Sequence, residues 1–318
     1  MRVCRGIAPR RDGPVALTIG NFDGVHLGHQ ALLGQLREAA RTRGLPAAVL
    51  TFEPHPREFF APDKAPTRLT SLREKLELLR AAEIDRVYLC RFNFEFARIS
   101  AADFVGRVLQ HGLGVRWLLV GDDFRFGARR AGDFALLKER APGAGFEVVA
   151  MPSVSAAGGR VSSTAVREAL RDGRLDAAAE LLGRPYSISG KVVQGDRLGR
   201  RIGFPTANVQ MKHNRPPLAG IFAVSVSGFG GAGLPGVASL GVRPTVKTRG
   251  QPTLEVHLLD FDADLYGRHL QVAFLHKFRD EEKYADVAAL TRQIALDVDH
   301  ARAYFRARSA AVQQAQAR

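Results

Sequence analysis

The first half of the chain alternates short apolar runs with stretches in which apolar residues recur every three or four positions. The runs are rich in Val, Ile and Leu and are bounded by Gly or Pro, a pattern that predicts buried strands. Helix starts are predicted at Ser71, with Glu74 three residues later, and at Ser100, with Asp103. Strands that alternate with helices predict an α/β doubly wound sheet, in which ligands bind beyond the carboxyl ends of the strands. The predicted strands are Val15–Ile19, Ala47–Phe52, Arg86–Leu89, Val115–Val120 and Phe146–Ala150.

The pattern changes after a helical stretch over residues 165–182, which is interrupted at Gly173. Apolar and polar residues then alternate in short runs separated by Gly and Pro, which predicts a C-terminal antiparallel β-barrel or small sheet. An apolar stripe beginning at Val287 predicts a terminal helix. We therefore predict two domains, residues 1–183 and 184–310, followed by a tail over 311–318. The barrel strands are predicted at Ser187–Val193, Ile221–Ser227, Gly236–Leu240, Thr253–Leu259 and Leu270–Phe278.

Composition and charge narrow the class of protein. The chain has 318 residues, 46% of them hydrophobic and 25% charged, which is typical of a globular protein. The formal net charge of +14 suits an anionic partner, but the 38 Arg and 8 Lys are dispersed, with no basic run that has interleaved aromatic residues. This dispersion argues against nucleic acid as a partner. A general preference for Arg explains the basic excess, with phosphate binding as a second cause, so charge alone does not identify the ligand. No apolar run reaches the roughly 20 residues that cross a bilayer, and two unrelated cysteines favour a reducing cytoplasm over a disulfide framework.

The most distinctive local motif, GNFDGVHLGH at residues 20–29, directly follows the first predicted strand. Its glycines permit a positive φ and let the backbone approach a ligand closely. His26 and His29 are three residues apart, so on a helix they share one face at its amino end, where the backbone N–H groups favour phosphate. Two imidazoles there would add hydrogen-bond donors for a phosphoryl group in transfer. A pair of surface histidines is the alternative for such a spacing on its own.

A second motif lies in the predicted barrel, where a glycine-rich segment ends in FPTAN at residues 204–208. Thr206 and Asn208 are two residues apart and project to one side of an extended chain, so their oxygens can reach one hard cation. In a later strand, Glu255 lies on the face opposite to Leu254 and Val256. A carboxylate there can accept the proton of a substrate hydroxyl, although a solvated strand glutamate is the alternative.

Together these motifs resemble those of a known family. The pattern GxFDGxHxGH is similar to that of the flavin-adenylating nucleotidyltransferases, and three further segments agree: TFEPHP at 51–56, GDDFRFG at 121–127 and VSSTAVR at 161–167, with Val161 where Ile is commoner. The segment FPTAN and the strand around Glu255 resemble riboflavin kinases. So does GVRPT at 241–245, although this chain continues with Val246 and Lys247 instead of an aromatic residue. The order of the two halves is that of the bacterial bifunctional riboflavin kinase/FAD synthetase family.

The resemblance implies two active sites. It makes Glu255 the base of the kinase and gives His26, His29 and Arg167 to the adenylylating site. ATP and phosphate binding is expected at Gly20, Phe22, Asp23, Gly24, Gly28, Ser162, Ser163, Thr164, Gly199, Gly203 and Pro205. Flavin binding is expected at His55, Phe124, Arg125 and Phe126, and Mg²⁺ binding at Thr206, Asn208 and Asp123. Open alternatives are a place in the core for Phe124 and Phe126 and a place in a turn for Asp123 and His55.

The expected function is therefore flavin cofactor synthesis in two steps. ATP would phosphorylate riboflavin to FMN, and a second ATP would adenylylate FMN to FAD with release of pyrophosphate; the sequence leaves the oligomeric state open. One alternative is an enzyme with a single working half. Another is a basic RNA-binding or regulatory protein on the same scaffold, which would tolerate the loss of His26 and His29.

Overall fold

The computed structural model describes residues 1–7, 13–156, 159–195, 198–213, 215–230, 233–242 and 252–316. The chain divides into two compact units, Met1–Pro66 with Leu72–Ser163, and Thr67–Ser71 with Thr164–Arg318. Gly183 lies inside the second unit, and the assignment of one activity to each side of it stays a prediction. Residues 243–247 of the kinase-like segment, residues 196–197 of the glycine-rich segment and residues 317–318 of the tail lie outside the described residues.

A parallel sheet forms the centre of the first unit. Its strands have the order β1-β4-β3-β2-β5-β6, and every pair is parallel. The chain runs outward in one direction from β2 to β4 and in the other from β2 to β6, so the topological switch point lies between β2 and β5, where such sheets bind ligands. The strands are β1 Arg2–Arg5, β2 Val15–Ile19, β3 Ala47–Glu53, β4 Arg86–Arg91, β5 Val115–Gly121 and β6 Glu147–Met151.

Helices cover both faces of this sheet because its strands are apolar on both sides. Leu17 and Leu118 belong to the core on one face, whereas Ala16 and Trp117 belong to the core on the other. The predicted doubly wound fold is confirmed. The helices of the unit are α1 Leu27–Thr42, α2 Pro56–Phe60, α3 Leu72–Ala81, α4 Phe94–Ala97, α5 Ala101–Asp103, which continues as a π-helix over Phe104–Gly112, and α6 Phe134–Ala144; 3₁₀ turns occupy Pro62–Lys64 and Ala128–Arg130. A two-stranded antiparallel ribbon, β7 Ser155–Ala156 with β8 Gly159–Arg160, precedes α7 Ser163–Arg171.

The second unit is built on a closed antiparallel barrel, as the alternating pattern predicted. Its described strands follow the order β10-β13-β12-β11-β14-β9, and β9 closes the barrel on β10. Alternate side chains, such as Leu254 and Val256, point into a core that also takes up Val166 of α7. The elements are α7, α8 Leu175–Leu182, β9 Ser187–Val193, α9 Leu198–Arg201, β10 Ala207–Gln210, β11 Gly220–Ser227, β12 Leu234–Val242, β13 Pro252–Leu258, β14 His269–Arg279 and α10 Val287–Gln316.

Helix α10 packs on the outside of the barrel through a second apolar cluster. Val298 and Ala301 of this helix are buried there against Ile221 and Val237. A bidentate ion pair joins the same surfaces: Nε and Nη2 of Arg279 donate to the two carboxylate oxygens of Asp297 at 3.0 and 2.7 Å. Ile221 and Val237 therefore belong to an apolar border on the outer surface of the barrel, along β11 and β12. No helix in the described part of the chain is long and apolar enough to cross a membrane.

Candidate active sites

The histidine motif lies at the switch point of the parallel sheet. Strand β2 ends at Ile19 and α1 begins at Leu27, so the glycine-rich turn joins the carboxyl end of a central strand to a helix N-terminus. His26 is the N-cap of α1, and its Nδ1 accepts a hydrogen bond from the backbone N–H of His29 at 3.3 Å. An accepting Nδ1 carries no proton, so the ring of His26 is neutral with its N–H at Nε2. The predicted helix face holds both rings, which stack at 3.7 Å between centroids.

His29 is an uncharged group held at this helix end. Its Nδ1 is buried and has no hydrogen-bond partner among the described residues. Burial, and to a smaller extent the electrostatic interactions with His26 and Lys75, hold the pKa of His29 well below its ordinary value. A neutral imidazole donates or accepts through either nitrogen, depending on the tautomer. The pair can therefore supply hydrogen bonds to a phosphoryl oxygen without adding positive charge.

The backbone of the turn is strained, which is typical of a ligand-binding loop. Phe22 and Val25 adopt positive φ values of 49° and 41°, and Gly24 has φ 85°. A side chain at Gly28 would lie 3.2 Å from ring atoms of His26. Gly28 therefore leaves the space that the His26 ring occupies, and Phe22 fills the core beneath the turn with no exposed surface.

The Ser-Ser-Thr segment reaches the histidine turn through Ser163. The Ser163 hydroxyl donates to the backbone carbonyl of Asp23 at 2.9 Å. Ser162 lies immediately before α7, and Ser163 is its first residue. Thr164 and Arg167 belong to the second unit, in which Nε of Arg167 donates to the carbonyl of Thr67 at 2.5 Å. The hydroxyl of Ser163 thus holds the two loops of the first unit together.

Asp123 follows β5, on the other side of the switch point. Its carboxylate is exposed and forms an ion pair with Arg160 at 2.5 Å, while the carboxylate of Asp122 accepts from Ser153 at 3.3 Å. The described residues contain no group of three or more His, Cys, Asp or Glu that could hold a metal ion. A cation bound by Asp123 would therefore share this carboxylate with Arg160 or compete with it.

The residues expected to bind flavin have local partners. Phe126 is buried and packs against Phe104 and Phe124. Arg125 forms an ion pair with Asp133 at 2.7 Å. His55 caps α2, because its Nδ1 accepts from the N–H of Arg57 at 3.1 Å. Of the two phenylalanines in this set, Phe124 is the one whose ring is only partly buried.

A larger aromatic cluster lies at the carboxyl ends of β3 and β4. Phe59 of α2 contacts Phe60, Phe92 and Phe94 edge-on, with ring centroids 4.7 to 5.6 Å apart. Phe60 and Phe94 are 64% and 69% exposed. Large exposed aromatic rings that contact one another at the ligand-binding edge of a sheet form a ready apolar surface for a planar ligand.

The candidate kinase site lies on the outer face of the barrel. Glu255 of β13 pairs with Asn208 of β10 on one side and with Ser239 of β12 on the other. Residues that are directly opposite in antiparallel strands point to the same face, with Cα atoms about 4.5–5.5 Å apart. The interior is filled by the neighbours Leu254 and Val256. The three polar side chains therefore form one row across three strands on the outside.

Glycines of the preceding segment leave room around the two predicted metal ligands. A side chain at Gly195 would collide with the amide group of Asn208. One at Gly199 would collide with the carbonyl of Phe204 and lie 3.1 Å from Oγ1 of Thr206. We call the backbone around Gly195 and Gly199 the glycine cradle. A hydroxyl oxygen and an amide oxygen beside it suit a hard cation and the phosphates that the cation binds. Asn208 and Thr206 thus fit Mg²⁺.

The rest of the FPTAN segment is fixed by His257, two residues after Glu255. Its Nδ1 lies 2.9 Å from the carbonyl of Pro205 and therefore donates to it, and Phe204 packs edge-on against the imidazole. Gly203, with φ 87°, turns the chain into this segment. His257 thus anchors Pro205 to the strand that bears Glu255.

Comparison with known proteins assigns each half to a family. Residues 8–165 match the model of FAD synthetase, and residues 182–305 match that of riboflavin kinase. The chain belongs to the bifunctional riboflavin kinase/FMN adenylyltransferase family. It is 51% identical to the member from Escherichia coli K12, over 96% of this chain and 98% of the relative, and 50% identical to that from Pseudomonas fluorescens, over 95% and 97%. A crystal structure described as a macrolide-efflux protein from Streptococcus pneumoniae superposes with a TM-score of 0.80 at 29% identity, covering 95% and 99%.

Family membership confirms the predicted resemblance and fold class. Sequence reasoning did not single out Ser239, because a lone serine inside a predicted strand carries no chemical signature. The strand register brings it next to Glu255. The sequence offered one signal for Ser239, namely its outward position on a strand next to that of Glu255.

Proposed function

We propose that this chain phosphorylates riboflavin to FMN in its barrel and adenylylates FMN to FAD in its parallel-sheet unit, with ATP as the donor in both reactions. The relatives with which it shares about half of its residues carry both activities in their names. The observation that supports the proposal most directly is the row formed by Asn208 and Glu255, which sets a carboxylate beside a candidate cation ligand.

In the kinase reaction, Glu255 would accept the proton of the terminal ribityl hydroxyl. The hydroxyl oxygen bonds to the γ-phosphorus of ATP as the bond to the β–γ bridging oxygen breaks, and ADP leaves. Thr206 and Asn208 would hold Mg²⁺, which neutralises charge on the phosphates. Gly195 and Gly199 keep this region open to the nucleotide. No protein nucleophile is required.

In the adenylylating reaction, an oxygen of the FMN phosphate bonds to the α-phosphorus of ATP and pyrophosphate leaves. His26 and His29 would donate hydrogen bonds to the phosphoryl oxygens at the N-terminus of α1, where backbone N–H groups assist them. The backbone of Gly20, Asp23, Gly24 and Gly28 would shape this phosphate site, and Ser162 would contribute a further donor. For Thr164 and Arg167, which belong to the second unit, phosphate binding stays the expectation that the family resemblance implies. Asp123 would join a Mg²⁺ ion while sharing its carboxylate with Arg160 or in competition with it.

For the flavin ring of FMN we propose the exposed aromatic cluster, represented by Phe60 and Phe94, together with Phe124. Their exposure and edge-on contacts support this assignment. His55 and Arg125 would act through their local contacts with α2 and Asp133, and Phe126 through its support of Phe124. We also propose that the protein works in the cytoplasm, where ATP is available and where its two cysteines would remain reduced.

The test is to incubate the purified protein with riboflavin, ATP and Mg²⁺ and to separate the flavins by chromatography. Both FMN and FAD should form, and neither should form when EDTA removes the divalent ion. FMN without FAD, or FAD only from added FMN, would show a single working half and refute the proposal of two activities.

Two variants should each impair only one of the two reactions, so that each serves as the control for the other. Glu255→Ala should lower FMN formation by about 10²–10⁴-fold, the usual effect of losing a general base, while FMN is still converted to FAD. His29→Ala should lower FAD formation from FMN by about 10²–10³-fold, the usual effect of losing one preorganised donor, while the kinase persists. If a folded variant lost both activities equally, the assignment of residues to the two reactions would be wrong.

A further inference from the structure

The row of polar residues beside Glu255 continues into a second carboxylate, that of Glu281. Ser239, the cross-strand partner of Glu255, donates its hydroxyl hydrogen to Oε1 of Glu281 at 2.7 Å. Glu281 follows β14 and is exposed, and its carboxylate lies over Gly241, where a side chain would collide with it. Because Gly241 has no side chain, there is space at that position for the Glu281 carboxylate.

The contact fixes which hydrogen bonds this site can make. Because Ser239 uses its one hydrogen for Glu281, its oxygen can offer only lone pairs to a ligand, and an ionised carboxylate is an acceptor with no hydrogen to give. Ser239 is the one hydrogen-bond partner of Glu281 within the described residues. A ligand bound there must supply several donors. Phosphate groups do not, and the negative charge of Glu281 repels them.

The position of this acceptor pair distinguishes the two substrates of the kinase. Glu255 lies on the middle strand, with Asn208 on β10 to one side and Ser239 on β12 to the other. The nucleotide side is the side of Asn208 and the glycine cradle. The opposite side, one strand spacing of about 4.8 Å away, combines acceptors with the apolar border formed by Ile221, which pairs with Ser239.

We infer that Ser239 and Glu281 bind ribityl hydroxyls of riboflavin that lie next to the one being phosphorylated, and so present the terminal hydroxyl to Glu255. A polyol chain offers a row of O–H donors, which is what a pair of acceptors such as Ser239 and Glu281 can bind. The inference rests on the proposed kinase function. It makes Glu281 a specificity residue for the sugar-alcohol part of the substrate, and Ser239 its partner.

The test compares Glu281→Gln with Glu282→Gln, a matched loss of charge at the neighbouring exposed position. FMN formation is measured to give KM for riboflavin, KM for ATP and Ki for lumiflavin, a competitor that has the ring system but a methyl group in place of the ribityl chain. Glu281→Gln should raise KM for riboflavin about 10-fold, the effect of weakening one hydrogen bond to a charged group. KM for ATP and Ki for lumiflavin should stay within about twofold of their wild-type values, and Glu282→Gln should change none of the three.

Two further variants test whether the effect of Glu281→Gln comes from the Ser239–Glu281 site itself. Ser239→Ala removes the hydroxyl, and Gly241→Ala displaces the Glu281 carboxylate while keeping its charge. Both should raise KM for riboflavin and spare Ki for lumiflavin. Equal effects of Glu281→Gln and Glu282→Gln, an equal loss of lumiflavin binding, or a rise in KM for ATP alone would overturn the inference. Wild-type protein that forms no FMN would instead refute the proposed kinase function.

Discussion

The buried, neutral state of His29 should make the stability of the parallel-sheet unit depend on pH. The ring stacks on His26 at 3.7 Å and lies 5.0 Å from the ring of Phe22. Burial, followed by the electrostatic interactions with His26 and Lys75, lowers the pKa of His29 in the folded protein. The unfolded chain keeps the ordinary pKa of about 6.5. Below that pH the unfolded state binds a proton that the folded state resists, so the free energy of unfolding must fall as the pH falls.

The size of this effect has a ceiling. Each pH unit between the unfolded pKa and the folded pKa changes the free energy of unfolding by at most about 1.4 kcal/mol. At about pH 5, roughly 1.5 units below the unfolded value, His29 should therefore remove at most about 2 kcal/mol. Its contribution is fully present above about pH 6.5 and is lost progressively below it.

Trp117 provides the assay, because it is the only tryptophan in the chain and is buried in the sheet of the first unit. Urea unfolding followed by its fluorescence reports that unit without a signal from the barrel. Measured between about pH 5 and pH 8, the free energy of unfolding should depend less steeply on pH in His29→Gln than in the wild type. His111→Gln, which removes an exposed histidine from the same unit, should keep the wild-type slope. Equal slopes in all three proteins, or a steeper slope in His29→Gln, would refute the reasoning.

Two other predictions concern the barrel. Gly199→Ala should abolish most FMN formation, because the new methyl group would collide with the carbonyl of Phe204 and crowd Thr206; unchanged kinase activity would show that the cradle is not needed, and conversion of added FMN to FAD is the internal control. Asp297→Ala should lower the free energy of unfolding of the barrel by about 3–5 kcal/mol, since it leaves Arg279 half-buried without its partner. Urea unfolding followed by circular dichroism would measure this, and Asp260→Ala, which breaks an equally bidentate but exposed pair with Arg302, should have little effect.

Much of the fold follows from local pattern. The strand Val15–Ile19 and the strand Ser187–Val193 have the bounds that their apolar runs predicted, and Ser100 caps its helix by accepting from the N–H of Asp103 at 3.0 Å. Strands β1 and β10 were not predicted. The first is a largely exposed edge strand, and the second is only four residues long, within the FPTAN motif. Neither has the continuous apolar run that marks a strand in a sequence.

For the active sites too, some features follow from local pattern and others do not. The sequence by itself determined the chemical groups and their local geometry: two histidines three apart at a helix start, an oxygen pair two apart on a strand, and a glutamate facing away from a core. These relations depend on periods of 3.6 and 2 residues, which any stretch of sequence displays. Only the tertiary structure decided that His29 is uncharged, that Asp123 pairs with Arg160, and that Ser239 lies beside Glu255 and binds Glu281. Burial and strand register join residues that are distant along the chain, and no local pattern carries that information.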